Sequence, residues 1–306
     1  MLRIAVAVAF AVAVPAALAG AVRSVTTPGP VTAIALDARL VAFAEGRSAK
    51  DCDRVRIWNL QTRAVTKLGR TTSCEQTSTG TGIATVSIAG GRVLWLHYTG
   101  GNIREWRLFT ATRSSTGPKL LRSISRDVDL PGPIVVGNGD SSGSADLLPY
   151  AVEADVYVLR PDGSRRFTRR APGRIVALSA HLGELAVAST GGVVTVLDAD
   201  GGVVRTERFS GEISSVQLSG VGVLAQIGSR LELRGGGPTQ TFALPRGARL
   251  QDAIDKRALF VVGQEVRQLS LETRTQRVLG PGVDVDAQHS SVAIAVGRRA
   301  TVQPLP

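Results

Sequence analysis

Aromatic residues make up only 4% of this 306-residue chain. A core of ordinary density must then be built mainly from Val, Leu, Ile and Ala. Valine suits strands in particular, because its branched Cβ is stiff and packs well on a pleated surface. Past the N-terminal segment, no stretch shows sustained helical periodicity, and no apolar run is long enough to cross a bilayer. Histidine occurs three times, at His97, His181 and His289, and no pair has the spacing of an H-x-x-x-H metal motif. A G-x-S-x-G elbow and a phosphate-binding loop are also missing, so no compact motif points to catalysis and no cofactor is expected. Lysine is scarce: 32 of the 36 basic residues are arginine, and the net charge is +11. Such a skew can reflect a GC-rich genome, and the arginines are spread along the chain, so nucleic acid is not an expected partner. The positive field still favours anionic partners, an envelope polymer or an acidic protein surface.

What the chain does have is a recurring pattern. A polar turn is followed by a run of small apolar residues and then by a second hairpin. The apolar runs begin at Leu40, Val93, Leu147, Leu185, Val223, Leu259 and Val292, a mean spacing of 42 residues. A period near 40 built from short strands is the signature of a β-propeller. The expected fold is all-β, a single propeller of seven four-stranded blades, with six blades as the alternative.

The N-terminus reads as a targeting segment. Arg3 is its one charge, Ile4 to Leu18 is apolar, and Ala17-Leu18-Ala19 gives a small-x-small cleavage pattern before Gly20. The expected division is a signal peptide over 1–19 and a propeller over 20–306, in the cell envelope or outside the cell; an uncleaved anchor is the alternative. In an oxidising compartment the two cysteines, Cys52 and Cys74, are expected to pair. With strands lettered a to d from the axis outward, Cys52 falls in a b–c loop and Cys74 in a d–a loop, which emerge on one face. Closing this 22-residue separation would stabilise the fold by roughly 3 kcal/mol in the chain-entropy model.

In the first blade, Val31 to Leu36 reads as strand a, Leu40 to Ala44 as b, Arg54 to Leu60 as c and Ala64 to Leu68 as d. Later c–d hairpins carry proper turn chemistry, such as Pro161-Asp162-Gly163 and Asp198-Ala199-Asp200-Gly201. The last blade stops after strand c, leaving an unpaired edge that Ala21 to Thr27 can fill. Val55-Arg56-Ile57-Trp58-Asn59-Leu60 resembles the end of a WD repeat, and the other hairpins are similar to those of TolB-type and quinoprotein-like propellers. Asn59 stands where the WD pattern has aspartate, and no Gly-His pair opens the blades. What the resemblance implies is a rigid, usually non-catalytic platform that binds partners through loops on one face.

Several residues are candidates for more. Asp252, Asp255, Asp284 and Asp286 fall on innermost strands of adjacent blades, where they could ring a metal or bond neighbouring backbone; the second role is expected. Asn138 to Gly143 partly matches a calcium loop, but Pro149 stands where its glutamate should be, so a long flexible a–b loop is expected. The histidines are expected in turns or on the surface. Arg165, Arg166, Arg169, Arg170 and Arg174 are expected to guard an outer edge strand. Trp58, Trp95 and Trp106, both cysteines and two long polar segments all belong to blades 1 and 2. That clustering nominates Lys50, Asp51, Asp53, Arg54, Glu75 and Gln76 as the partner-binding surface of a non-catalytic scaffold whose partner is an envelope or extracellular protein. The alternative is an exported propeller enzyme: a lyase, glycan hydrolase or quinone-dependent dehydrogenase.

Overall fold

A computed structural model describes residues 22–46, 55–69, 80–143 and 145–306. It contains seven antiparallel four-stranded sheets, the blades of a propeller. Among the described residues every regular element is a strand. The innermost strands are Val31–Asp37, Thr81–Ala89, Ile134–Val136, Ile175–His181, Ser215–Ser219, Ala248–Ile254 and Asp284–Gln288. In each blade the a–b and c–d turns emerge at one end of the disc, and the b–c and d–a connections at the other.

The core is divided into seven apolar clusters, each filling the seam between two adjacent blades. This explains why strand b reads as a continuous apolar run instead of alternating. In Leu40–Glu45, Val41 and Phe43 face blade 7, while Ala42 and Ala44 face blade 2. At two seams large residues meet small ones: the cluster that holds Phe43 also holds Ala293, Ala295 and Ala300 of blade 7, and Trp95 of blade 2 shares a cluster with Ala42 and Ala44. Such matching gives near-crystalline density with few aromatics.

The turns follow their local chemistry. Asn59 Oδ1 accepts the amides of Gln61 and Thr62, both at 2.9 Å, so asparagine closes the c–d turn where the WD pattern has aspartate. Asp198 Oδ1 does the same for Asp200 and Gly202 at 2.9 and 2.8 Å.

Blade 7 is completed as the sequence predicts. Arg23–Thr26 pairs antiparallel with Arg299–Pro304 and supplies the outermost strand, after Asp284–Gln288 and Ser291–Val296. Val25 also packs into the seam between blades 7 and 1. A chain beginning at Val31 is therefore expected to melt several degrees below one beginning at Val22, because an edge is uncovered and an apolar contact is lost. Equal midpoints in thermal denaturation would show that the leading strand adds nothing to closure.

Candidate functional site

The axial channel is lined by polar side chains of the innermost strands, and most of them fasten one blade to the next. At the closure seam, Asp284 accepts the Ile34 amide at 2.9 Å, Asp286 accepts that of Leu36 at 2.6 Å, and Gln288 accepts that of Ala38. These three acceptors alternate along one strand and match three donors alternating along its neighbour. Ser179 accepts the Leu218 amide at 3.0 Å, and Gln217 donates to the Gln251 carbonyl at 2.6 Å. Asp252 accepts the amides of Ala287 and Ala253, both at 2.7 Å, and Asn138 Nδ2 at 3.3 Å. The structural role expected of Asp252, Asp284 and Asp286 is the one observed. Asp255 instead sits in the a–b turn at φ 50° and pairs with Arg257 at 3.8 Å.

Burial sets the protonation of this belt. Desolvation pushes Asp252 up to about 6 from an ordinary 3.8. Asp286 is pushed well above 3.8, first by burial and then by the Asp252 charge beside it. A side-chain hydrogen bond joins the two, so the pair holds a proton that the unfolded chain has already released. Asp284 is also pushed upward by burial, although part of its surface stays open to the channel.

With folded-state pKa values raised, the folded form binds more protons above the unfolded carboxylate value, and stability falls as pH rises through the folded one. The melting temperature is expected to decline from about pH 4 to pH 7 for this reason. Asp286→Asn mimics the protonated member: its amide can donate to Asp252 while its oxygen accepts from Leu36. It should flatten the decline without loss of stability. Asp252→Asn should cost on the order of 1–3 kcal/mol, since both oxygens of Asp252 are acceptors and one becomes a donor facing an N–H. Parallel pH profiles for the wild type and Asp286→Asn would contradict the shared proton.

The 137–147 connection of blade 3, of which all but residue 144 is described, departs from the expected flexible loop. It is an a–b connection, but it is wedged over the channel. Asn138 bridges to Ser179 of blade 4, Asp140 bridges to Leu147, and Ser141 donates to Asp37 of blade 1. A Cβ on Gly139 would lie 2.3 Å from the Ile88 carbonyl oxygen, so only glycine allows this approach. Gly139→Ala is expected to lower stability by about 1–3 kcal/mol, whereas Gly236→Ala, with open space around it, should leave the melt unchanged. Equal melts for the two variants would mean the loop is not wedged.

The histidines divide. His181 ends a strand and His289 occupies an a–b turn, and both line one cavity at the a–b mouth of the channel. His97 is neither in a turn nor on the surface. It is buried within Arg92–Gly100, with Nε2 2.8 Å from Thr81 Oγ1. The reason is that blade 2 is longer than the others. Its strands, Thr81–Ala89, Arg92–Gly100, Ile103–Thr112 and Lys119–Asp127, run to 9 or 10 residues, against at most 7 elsewhere.

The added length projects at the b–c end. There Arg104 lies over the rings of Tyr98 at 4.7 Å and Trp106 at 5.6 Å. Ile103, Val128 and Leu130 stand exposed together, at 68%, 41% and 56%. Hydrogen bonds from Val128 N to the Asn102 carbonyl and from Leu130 N to that of Asp127 hold them in place. Trp95, fully buried and stacked on Phe109 at 5.7 Å, and Trp58 are packing residues.

The arginine run is largely engaged. Arg166 pairs with Asp200 at 3.0 Å, Arg170 with Asp155 at 3.2 Å, Arg169 donates to the Gly201 carbonyl at 2.6 Å, and Arg165 covers the Tyr157 ring. Cys52, Cys74, Lys50, Asp51, Asp53, Arg54, Glu75, Gln76 and the segment 1–19 all lie outside the described residues.

No protein-family model matches the chain, and no curated protein does either. Solved structures do. The WD40 β-propeller domain of Doa1 superposes with a TM-score of 0.56 at 12% identity, over 92% of this chain and 94% of that one. A chain of a mitotic checkpoint complex gives 0.58 at 13% identity, over 92% and 90%. Raptor from Chaetomium thermophilum gives 0.55 at 12% identity over 92% of this chain, which spans only 28% of Raptor's length. At these identities the likeness is one of fold alone: a seven-bladed β-propeller.

Proposed function

We propose that this propeller is a non-catalytic scaffold that binds a protein partner through its b–c end. The observation that carries the reading is the extended second blade. It brings three exposed apolar residues and an aromatic-stacked arginine together at the tip of a rigid hairpin pair. Single exposed apolar residues need no explanation, but a cluster rimmed by polar groups is what interaction sites expose. Arginine and large aromatics are also the groups that anchor interfaces. The channel carboxylates support the same reading, because their hydrogen bonds to neighbouring blades occupy them in holding the disc together.

The tip lies at the end of the disc to which the b–c and d–a loops belong. Lys50, Asp51, Asp53, Arg54, Glu75 and Gln76 are in such loops by sequence, and we assign them to the same surface, where mixed charge suits a protein partner more than a uniform polymer. In this reading the segment 1–19 directs export to the envelope or beyond it, and a Cys52–Cys74 bridge pre-orders the surface and reduces the entropy lost on binding.

Ile103→Asp combined with Leu130→Asp is expected to abolish capture of the native partner in pull-downs from the source cell's envelope and medium. Reversing Lys50, Asp51 and Glu75 should do the same, with circular dichroism unchanged in both cases. If capture survives both changes but fails when Arg165, Arg166, Arg169 and Arg170 are neutralised, the outer edge of blade 3 is the site and the assignment of the face is wrong.

A further inference from the structure

Where blades 3 and 4 meet, the apolar seam stops short of the rim. A cavity of about 160 Å³ lies there, between the outer strands of the two blades. Its floor is Val156 of blade 3 with Val187 and Leu197 of blade 4, all buried. The strand registers show why it is left open. Across blade 3, Val156 pairs with Arg169. Across blade 4, Val187 pairs with Thr195, and Thr195 with Thr206. Paired residues share a face of their sheet, so these two rows oppose each other over the seam. One row ends in an arginine and the other in two threonines, and neither end supplies an apolar side chain to close the gap. Arg169 is also drawn aside, donating to the Gly201 carbonyl at 2.6 Å.

The rim of this cavity is basic. Arg169 and Arg170 line it, and neither aspartate nor glutamate is among its lining residues. Arg170 pairs with Asp155 at 3.2 Å, but its side chain is 76% exposed, and so exposed a pair is weak enough to be exchanged for a ligand. Arg169 commits one N–H to Gly201, and a guanidinium carries several. Val203, half exposed, also lines the cavity, which is therefore open to solvent at the outer wall of the disc.

We propose that this cavity binds a medium-chain aliphatic carboxylate, its chain lying on Val156, Val187 and Leu197 and its head group held at the rim by Arg169 and Arg170. The volume is close to the roughly 150 Å³ of an engineered apolar cavity that admits benzene, so a chain of about six carbons fits. An apolar floor alone would take any small hydrocarbon, and arginines alone would take any anion. Together they select an amphipathic anion, and the planar guanidinium fork matches a carboxylate in particular. The site does not depend on the scaffold reading.

The test is calorimetric titration of the full chain with sodium hexanoate. Sodium acetate serves as the head group alone and 1-hexanol as the chain alone. Saturable binding of hexanoate is expected, with acetate and hexanol each weaker on the order of tenfold or more. Combining Arg169→Gln with Arg170→Gln should weaken hexanoate by a similar factor and leave hexanol unchanged. Thr195→Phe, whose ring would occupy the cavity while both arginines stay in place, should block hexanoate; this variant and the two control ligands keep the test decisive if the arginine variant folds poorly. Acetate binding as well as hexanoate would mean an adventitious ion contact only. Hexanol binding as well would mean that the arginines take no part. Either result, undiminished hexanoate binding in both variants, or a heat that does not saturate would overturn the proposal.

Discussion

Each blade is apolar on both faces, and that single constraint governs the rest of the molecule. A sheet with two apolar faces needs two partners, so a chain of such sheets is stable only when the last meets the first. Seven seams result, each filled by an apolar cluster, as where Phe43 joins three alanines of blade 7. Closure then falls to the leading strand, Arg23–Thr26, and to the inner acceptors Asp284, Asp286 and Gln288. Near the axis the blades converge, and short polar side chains that accept backbone amides replace apolar packing.

That polar belt carries its own cost. Carboxylates were placed where water is excluded, and the two closest settle the conflict by sharing a proton. The same geometry that makes Asp252 a fourfold acceptor makes it intolerant of an amide, while Asp286 can be imitated by one. The belt therefore belongs to folding. The ends differ: one carries the protruding, apolar-tipped second blade, the other a small acidic recess.

The period of the apolar runs made the blade count and most strand positions legible from the sequence alone, because two-sided burial leaves an unbroken apolar signature at each strand b. Turn chemistry did the same for the hairpins through Asp162-Gly163 and Asp198 to Gly201. What stayed hidden was what depends on neighbours distant in the chain. Asn138 reaches Asp252 across 114 positions, and nothing local to a Gly- and Ser-rich stretch announces that it is wedged against Ile88. His97, expected in a turn or on the surface, is buried because its blade is longer than the others. The wide spacing of the first two intervals was the available signal that blade 2 is extended. The channel carboxylates were legible as structural because two inner strands repeated them, but their shared proton was not.

Site-specific photo-crosslinking in the native cellular setting would test the central claim, that the b–c end of blade 2 is the recognition surface. A benzophenone side chain placed at position 103 should give a discrete protein adduct on irradiation, and the same group at position 182, on the a–b end, should give none. Adducts from position 182 with none from position 103 would contradict the account.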